Sequence, residues 1–309
     1  TENDPGESLP ILHKEYSTPE GVLKTEVRKT TDWPYYFHTP VMDDFLVPKS
    51  RSRKYLVEVK DDINKLKYIL TPPTKEDIKD FRESAEKMKK LAKKNDILLG
   101  GMWGIGMDAA GWLCGLENIM MATIDDPGFV EEFAEFISNW NISRMEVFLD
   151  FGIDIFMRRG WYEGLDFWPS ANFKKFIFPH LKKEVDLCHE ADTKFSHIIT
   201  DKSPIDEMIE AGVDAVVGVD PVMDKTMDLK SIRQKAQGKI CLWGGVNQAL
   251  TIELGNESGI KDAVKEAITV LGKDGGFILS PVENVIDISE DVWKKVLMFI
   301  DAWKELRNC

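Results

Sequence analysis

From Thr74 onward the chain alternates between stretches of helical period and short, uniformly apolar runs. TKEDIKDFRESAEKMKKLAKKN opens on Thr74 with Asp77 three residues later, the signature of a capped helix start. The run Ile97–Leu99, ended by Gly100-Gly101, predicts a buried strand. Asp126-Pro127 then offers an N-cap with proline at the first helical position, and Phe129, Val130, Phe133, Phe136, Ile137 and Trp140 fall on one helix face. Further strands are predicted at Ile153–Met157, Lys194–Ile199, Asp214–Val217, Ile240–Trp243 and Gly276–Leu279. Helices separate them: one from about Ser170 with a kink expected at Pro179, one from Ser203-Pro204 to Gly212, one over Leu229–Ala236, and one ending at Gly272. A last helix begins at Ser289 and carries Val292, Val296, Phe299, Ile300 and Trp303.

Six strand–helix units in series predict an α/β fold with parallel strands, buried on both faces and therefore apolar throughout. The closed solution is a (β/α)8 TIM barrel with diverged or missing N-terminal elements; an open doubly wound sheet is the alternative. Residues 1–70 follow another pattern. TEVRKTTDWPYYFHTP and SRKYLVEVK suggest short strands or hairpins, and Thr71-Pro72-Pro73-Thr74 breaks the chain. The expectation is one barrel domain over 1–309, with an irregular segment at 1–70 and βα units over 71–309.

Composition narrows the partners. With 40 Lys+Arg against 53 Asp+Glu the net charge is −13, which argues against nucleic acid and anionic membranes. No run approaches the roughly 20 apolar residues of a membrane helix, and the opening TENDPGESLP lacks a signal-peptide core. Cys114, Cys188, Cys241 and Cys309 form no C-x-x-C pair, which disfavours a thiolate zinc finger and fits a reducing compartment. A cytoplasmic protein with a small-molecule substrate is expected, with a homodimer as the candidate assembly.

Gly104-Ile105-Gly106-Met107-Asp108-Ala109 matches G-x-G-x-x-A, with Asp125 and Asp126 about 20 residues on. A dinucleotide site needs those glycines directly off a strand. Gly100-Gly101-Met102-Trp103 is expected to intervene, and the two acids look like a helix cap.

In a barrel the chemistry sits where strands end. The predicted ends carry Met102-Trp103; Arg158, Arg159, Gly160, Trp161, Tyr162 and Glu163; His197 with Thr200 and Asp201; Gly218 and Asp220; Trp243 to Asn247; and Ser280 to Asn284. Arg158 and Arg159 follow an apolar strand directly, so an inward guanidinium needs an anionic ligand or a carboxylate such as Glu163. Trp161 and Tyr162 can flank a flat ligand or pack their loop. His197 and Glu283 are the candidate acid–base pair. Trp103, Arg158, Arg159, Trp161, Tyr162, Asn247 and Asn284 are the candidate substrate-binding residues.

These segments together resemble a known family. FSHIITDKSPIDEMIEAGVDAVVGVDP, MDLKSIRQKAQGKICLWGGVNQ and GGFILSPVENVI, preceded by GLENIMMATIDDPGFVEEF and WPSANFKKFIFPHLKKEVDLCHEA, resemble the uroporphyrinogen decarboxylase superfamily over roughly 95–309. The resemblance implies the barrel, and one of two activities: decarboxylation of uroporphyrinogen, or cobalamin-dependent methyl transfer with zinc holding a thiolate. The decarboxylase branch's R-Q-A-G-R run has no match here. The methyltransferase branch's H-x-C-G falls on His197-Ile198-Ile199-Thr200, and no cysteine follows in GGFILSPVENVI. Only His197 carries over, so a metal would need oxygen ligands such as Asp201 or Glu283. The expectation is a protein largely free of zinc and of any tightly bound cofactor. Its expected reaction is methyl transfer from a small methylated substrate to a corrinoid on a partner protein. Uroporphyrinogen decarboxylation and a non-catalytic tetrapyrrole- or corrinoid-binding barrel are the alternatives.

Overall fold

The computed structural model describes residues 6–199, 203–222 and 228–307, with the side chains of Met102 and Trp103 outside that description. The chain divides into two compact units. The first takes in the chain up to Ile97, Gly104–Phe151 and Lys175–His180; the second takes in Leu98–Trp103, Gly152–Lys174 and the chain from Leu181 on.

In the first unit, β1 (Ile11–Thr18) and β2 (Gly21–Arg28) form an antiparallel hairpin, and β3 (Ser52–Lys54) pairs with β2. Strands were expected in this segment; the turn between β1 and β2 needs Gly21, whose φ of 124° suits glycine. Leu12, Val27, Trp33 and Leu46 pack as its core. The short α1 (Asp62–Leu66) precedes α2 (Lys75–Asn95), which begins with the full capping box: Thr74 and Asp77 bond reciprocally. Then come α3 (Asp108–Leu113), α4 (Leu116–Asp125) and α5 (Pro127–Phe151). Asp126 caps α5 through its Oδ1, which accepts from Phe129 N at 3.0 Å. Phe129, Val130, Phe133 and Ile137 are the buried part of its apolar face.

The second unit holds a curled sheet of six parallel strands in chain order, all but the last two residues of its first strand. These are β4 (Gly100–Ile105), β5 (Ile155–Arg159), β6 (Lys194–Ile198), β7 (Ala215–Val219), β8 (Cys241–Val246) and β9 (Phe277–Pro281). Its helices are the single turn α6 (Ser170–Asn172), α7 (Phe178–Glu190), α8 (Ile205–Ala211), α9 (Leu229–Ala236), α10 (Glu257–Leu271) and α11 (Glu290–Leu306). Val246, Ile252, Val264, Ala267 and Ala302 form one of its cores. The described residues hold six parallel strands, where a closed barrel has eight.

Two expectations need correction. The first strand is not Ile97–Leu99. Ile97 and Leu98 are exposed, and β4 runs instead through the glycines. Gly100 lies 3.6 Å from Ile155 Cγ2 and Met157 Sδ once a Cβ is imagined on it, so the strand packs without apolar side chains there. No loop therefore intervenes before Gly104 and Gly106. The dinucleotide reading still fails, because α3 has six residues and the carboxylate of its first residue, Asp108, is wholly buried where a phosphate would need positive potential. The helical stretch at 170–190 is interrupted earlier than Pro179: residues Phe173–Ile177 are π-helical. Proline lacks the N–H that would bond four residues back, and the wider turn precedes it.

Among the described residues no helix is long and apolar enough to cross a membrane.

Candidate functional site

The carboxyl end of β5 carries most of the chemistry. The strand extends through Arg158 and Arg159, and the turn Gly160–Glu163 follows it. Arg158 and His197 are register partners across β5 and β6, so they share a face of the sheet. Arg158 Nε lies 3.4 Å from Glu184 Oε2 on the buried stripe of α7, so that face is the one α7 covers. Alternation puts Arg159 on the opposite face.

A buried polar chain results. Arg158 Nη2 donates to Glu163 Oε1 at 2.6 Å, and Glu163 Oε2 lies 2.9 Å from His197 Nε2. Arg158, Glu163, Glu184 and His197 are all at most 1% exposed. Burial of this kind is tolerated only when charges are paired and hydrogen-bonded. Desolvation holds the His197 pKa below its ordinary 6.5, the pull of Glu163 being the weaker effect and Arg158 acting with the burial. His197 is therefore neutral at pH 7. A carboxylate only accepts, so Nε2 carries the proton and Nδ1 the lone pair. Gly160 makes room for the pair: a Cβ there would stand 2.1 Å from His197 Nε2 and 2.8 Å from Glu163 Oε2.

Arg159 takes other neighbours. Its guanidinium lies 4.0 Å from the centroid of Trp161 and 5.6 Å from that of Tyr162, a cation over two aromatic rings. Both rings are half-buried. The carbonyl of Tyr162 accepts from the indole of the fully buried Trp168 at 2.8 Å, and Phe167 meets the Tyr162 ring edge-on.

At the far strands, Asn247 bridges β7 and β8. Its Nδ2 donates to Asp220 Oδ2 at 2.7 Å, and its Oδ1 accepts from Leu250 N as the cap of a π-helical turn over Gln248–Glu253. Both ends of its amide thus serve the scaffold. Glu283 is half-buried just past β9, with its backbone N–H bonded to Gln248 Oε1, and Asn284 is exposed. In register His197 pairs with Val216 and Val216 with Leu242, so Asn247 lies two strands across and five residues further along the sheet than His197. Asp201 and the Trp103 side chain lie outside the described residues.

The structure thus brings Arg158, Glu163 and His197 into one cluster and Arg159, Trp161 and Tyr162 into another. Glu184 and Gly160 were not singled out from sequence as partners of His197. Glu184 had a signal: it is a carboxylate on the apolar stripe Leu181, Val185, Cys188.

Among the described residues no three His, Cys, Asp or Glu side chains are grouped to hold a metal ion. The histidine–thiolate zinc set of the methyltransferase branch does not fit the donors present. Ile199 stands at its cysteine position, and Cys188 and Cys241 lie on α7 and at the start of β8, with burial pushing both thiols up.

A family model described as uroporphyrinogen decarboxylase (URO-D) matches residues 49–297. The chain belongs to the uroporphyrinogen decarboxylase family. Among solved structures, a methyltransferase from Methanosarcina mazei is similar in fold, at 16% identity and a TM-score of 0.56, over 84% of this chain and 68% of that one. A D-tagatose 3-epimerase-like protein aligns at 14% identity and a TM-score of 0.43, over 76% and 85%. No curated protein matches the chain in sequence. In this uroporphyrinogen decarboxylase family member the two arginines at the end of β5 have different tasks, and that difference bears on which branch it follows.

Proposed function

We propose that this family member transfers a methyl group from a small methylated substrate to a reduced corrinoid carried by a partner protein. The observation that carries the reading is the commitment of Arg158 to Glu163 and Glu184. Uroporphyrinogen presents up to eight carboxylates and needs several cations facing it. Of the two arginines at this strand end, one is spent beneath α7. A neutral methyl donor makes no such demand.

In this reading the barrel of the resemblance is the scaffold, and Arg159, Trp161 and Tyr162 form the surface on which the substrate rests. Glu283, beyond the end of β9, is the acid that protonates the heteroatom as its bond to the methyl carbon breaks. The corrinoid supplies the cobalt that accepts the methyl group. No step runs through zinc. His197 is a positioning residue, acting through Glu163.

The test is incubation of the purified protein with reduced cobalamin and a panel of methyl ethers. The expected result is methylcobalamin, read by its absorbance, with formation reduced at least tenfold in Glu283→Gln. Conversion of uroporphyrinogen to coproporphyrinogen at about 1 per second or faster, an ordinary enzymatic rate, would overturn the reading in favour of the decarboxylase.

A further inference from the structure

We infer that Glu163 is the positioning residue of this site, dividing its two carboxylate oxygens between Arg158 and His197 so that the turn bearing Trp161 and Tyr162 is held in one arrangement. What the turn does rests on the function proposed above; how it is held rests on geometry alone.

The turn is fastened along its length. Gly160 N donates to Ile198 O of β6 at 2.8 Å, and Glu163 N closes on Gly160 O at 3.1 Å. Trp168 Nε1 fixes the Tyr162 carbonyl. These bonds fix the backbone of the turn, and Arg159 of β5 lies over its two aromatic rings. Glu163 adds a charged tie to β5, through the 2.6 Å bond from Arg158, while its other oxygen takes the proton of His197 Nε2 at 2.9 Å. Arg158 is held in turn by Glu184 at 3.4 Å. Arg158, Glu163, Glu184 and His197 all lie in the second unit. Charge-assisted bonds sheltered from water are stronger and more directional than neutral ones, which is what a positioning group requires.

Length and charge make separable demands. Aspartate is one methylene shorter, about 1.5 Å, and cannot reach both partners from the same backbone. Glutamine has the right length. Its oxygen can accept from Arg158, but its amide then faces His197 and donates. The imidazole must accept at Nε2 and move its proton to Nδ1.

The experiment uses the full chain with 15N-labelled histidine, in wild type, Glu163→Gln and Glu163→Asp. Nitrogen NMR reads the His197 tautomer, amide exchange reads residues 160–163, and the methyl-transfer assay is run on the same samples. The wild type is expected to show the Nε2–H form. Glu163→Gln should switch it to Nδ1–H while keeping turn protection and KM within about threefold. Glu163→Asp should lose about tenfold in protection and raise KM about tenfold, with kcat changed less than about threefold, the loss expected for one charge-assisted bond. An Nδ1–H wild type, or a Glu163→Asp protein with unchanged exchange, overturns the assignment. Should Glu163→Asp fail to fold, the absence of a tautomer switch in a folded Glu163→Gln protein would overturn it equally. A wild type that transfers no methyl group fails the proposed function and leaves the tautomer and exchange results to judge Glu163.

Discussion

Gly160 and His197 occupy space that one added methyl group would contest. A Cβ at 160 would sit 2.1 Å from the imidazole, and neither neighbour can retreat easily because His197 and Glu163 are fully buried. Gly160→Ala should therefore destabilise the protein by about 1–3 kcal/mol, as overpacked cores do, seen as a lower midpoint in urea. His197 itself makes stability depend on pH, and the sign follows from the depressed pKa. On acidification the unfolded chain takes up the proton first, near 6.5, while the buried imidazole stays neutral. The stabilisation linked to neutral His197 is complete above that pH and declines as pH falls below it, by at most about 1.4 kcal/mol per unit. Urea melts at pH 8 and pH 5.5 should show a larger acid loss in wild type than in His197→Gln; equal losses would show that His197 is not the group responsible. At this scale the sequence named the right atoms and left their use open. Arg158 could have met an anionic ligand or Glu163, and nothing in the linear order tells which, because the deciding partner, Glu184, lies 26 positions away on a covering helix.

Helix starts were legible because capping chemistry is local. Thr74 with Asp77, Asp126 with Phe129, and Ser289 with Val292 are all contacts over three residues, and each forms as expected. Thr74→Ala should cost about 1 kcal/mol by removing an acceptor from the first turn of α2, a difference measurable by thermal unfolding. Strands were legible in number and order but ran late. Four begin one or two residues beyond the predicted start: β5 at Ile155, β7 at Ala215, β8 at Cys241 and β9 at Phe277, while β4 is displaced by three; only β6 starts at Lys194 as expected. The cause is common to them. An apolar run signals burial, yet these strands continue into Arg158-Arg159 and Gly244-Gly245, residues whose burial depends on an ion pair, on aromatic neighbours or on close backbone approach. A Cβ at Gly244, with φ of 138°, would meet the Val219 backbone at 2.9 Å. Such residues look like loop in a hydropathy pattern, and they are the ones that build the site.

Over the whole molecule, charge separates the two branch activities more simply than any single residue. The chain carries 53 acidic against 40 basic side chains. An octa-anionic porphyrinogen approaching a surface of net charge −13 is repelled, and salt weakens that repulsion beyond a Debye length of about 10 Å at 0.1 M. A decarboxylase must overcome this with a local cluster of cations, and at the end of β5 Arg158 is already neutralised by two carboxylates. A neutral methyl ether meets no such field. Binding of uroporphyrin, the stable oxidised form, should therefore be weak at 20 mM salt and should not weaken further as salt is raised. Affinity for the methyl donor should be nearly independent of salt. Titrations by fluorescence for the porphyrin and by calorimetry for the donor measure both. Tight porphyrin binding at low salt that falls by at least tenfold toward 500 mM would show a focused basic pocket despite the acidic surface, and would return the protein to the decarboxylase branch.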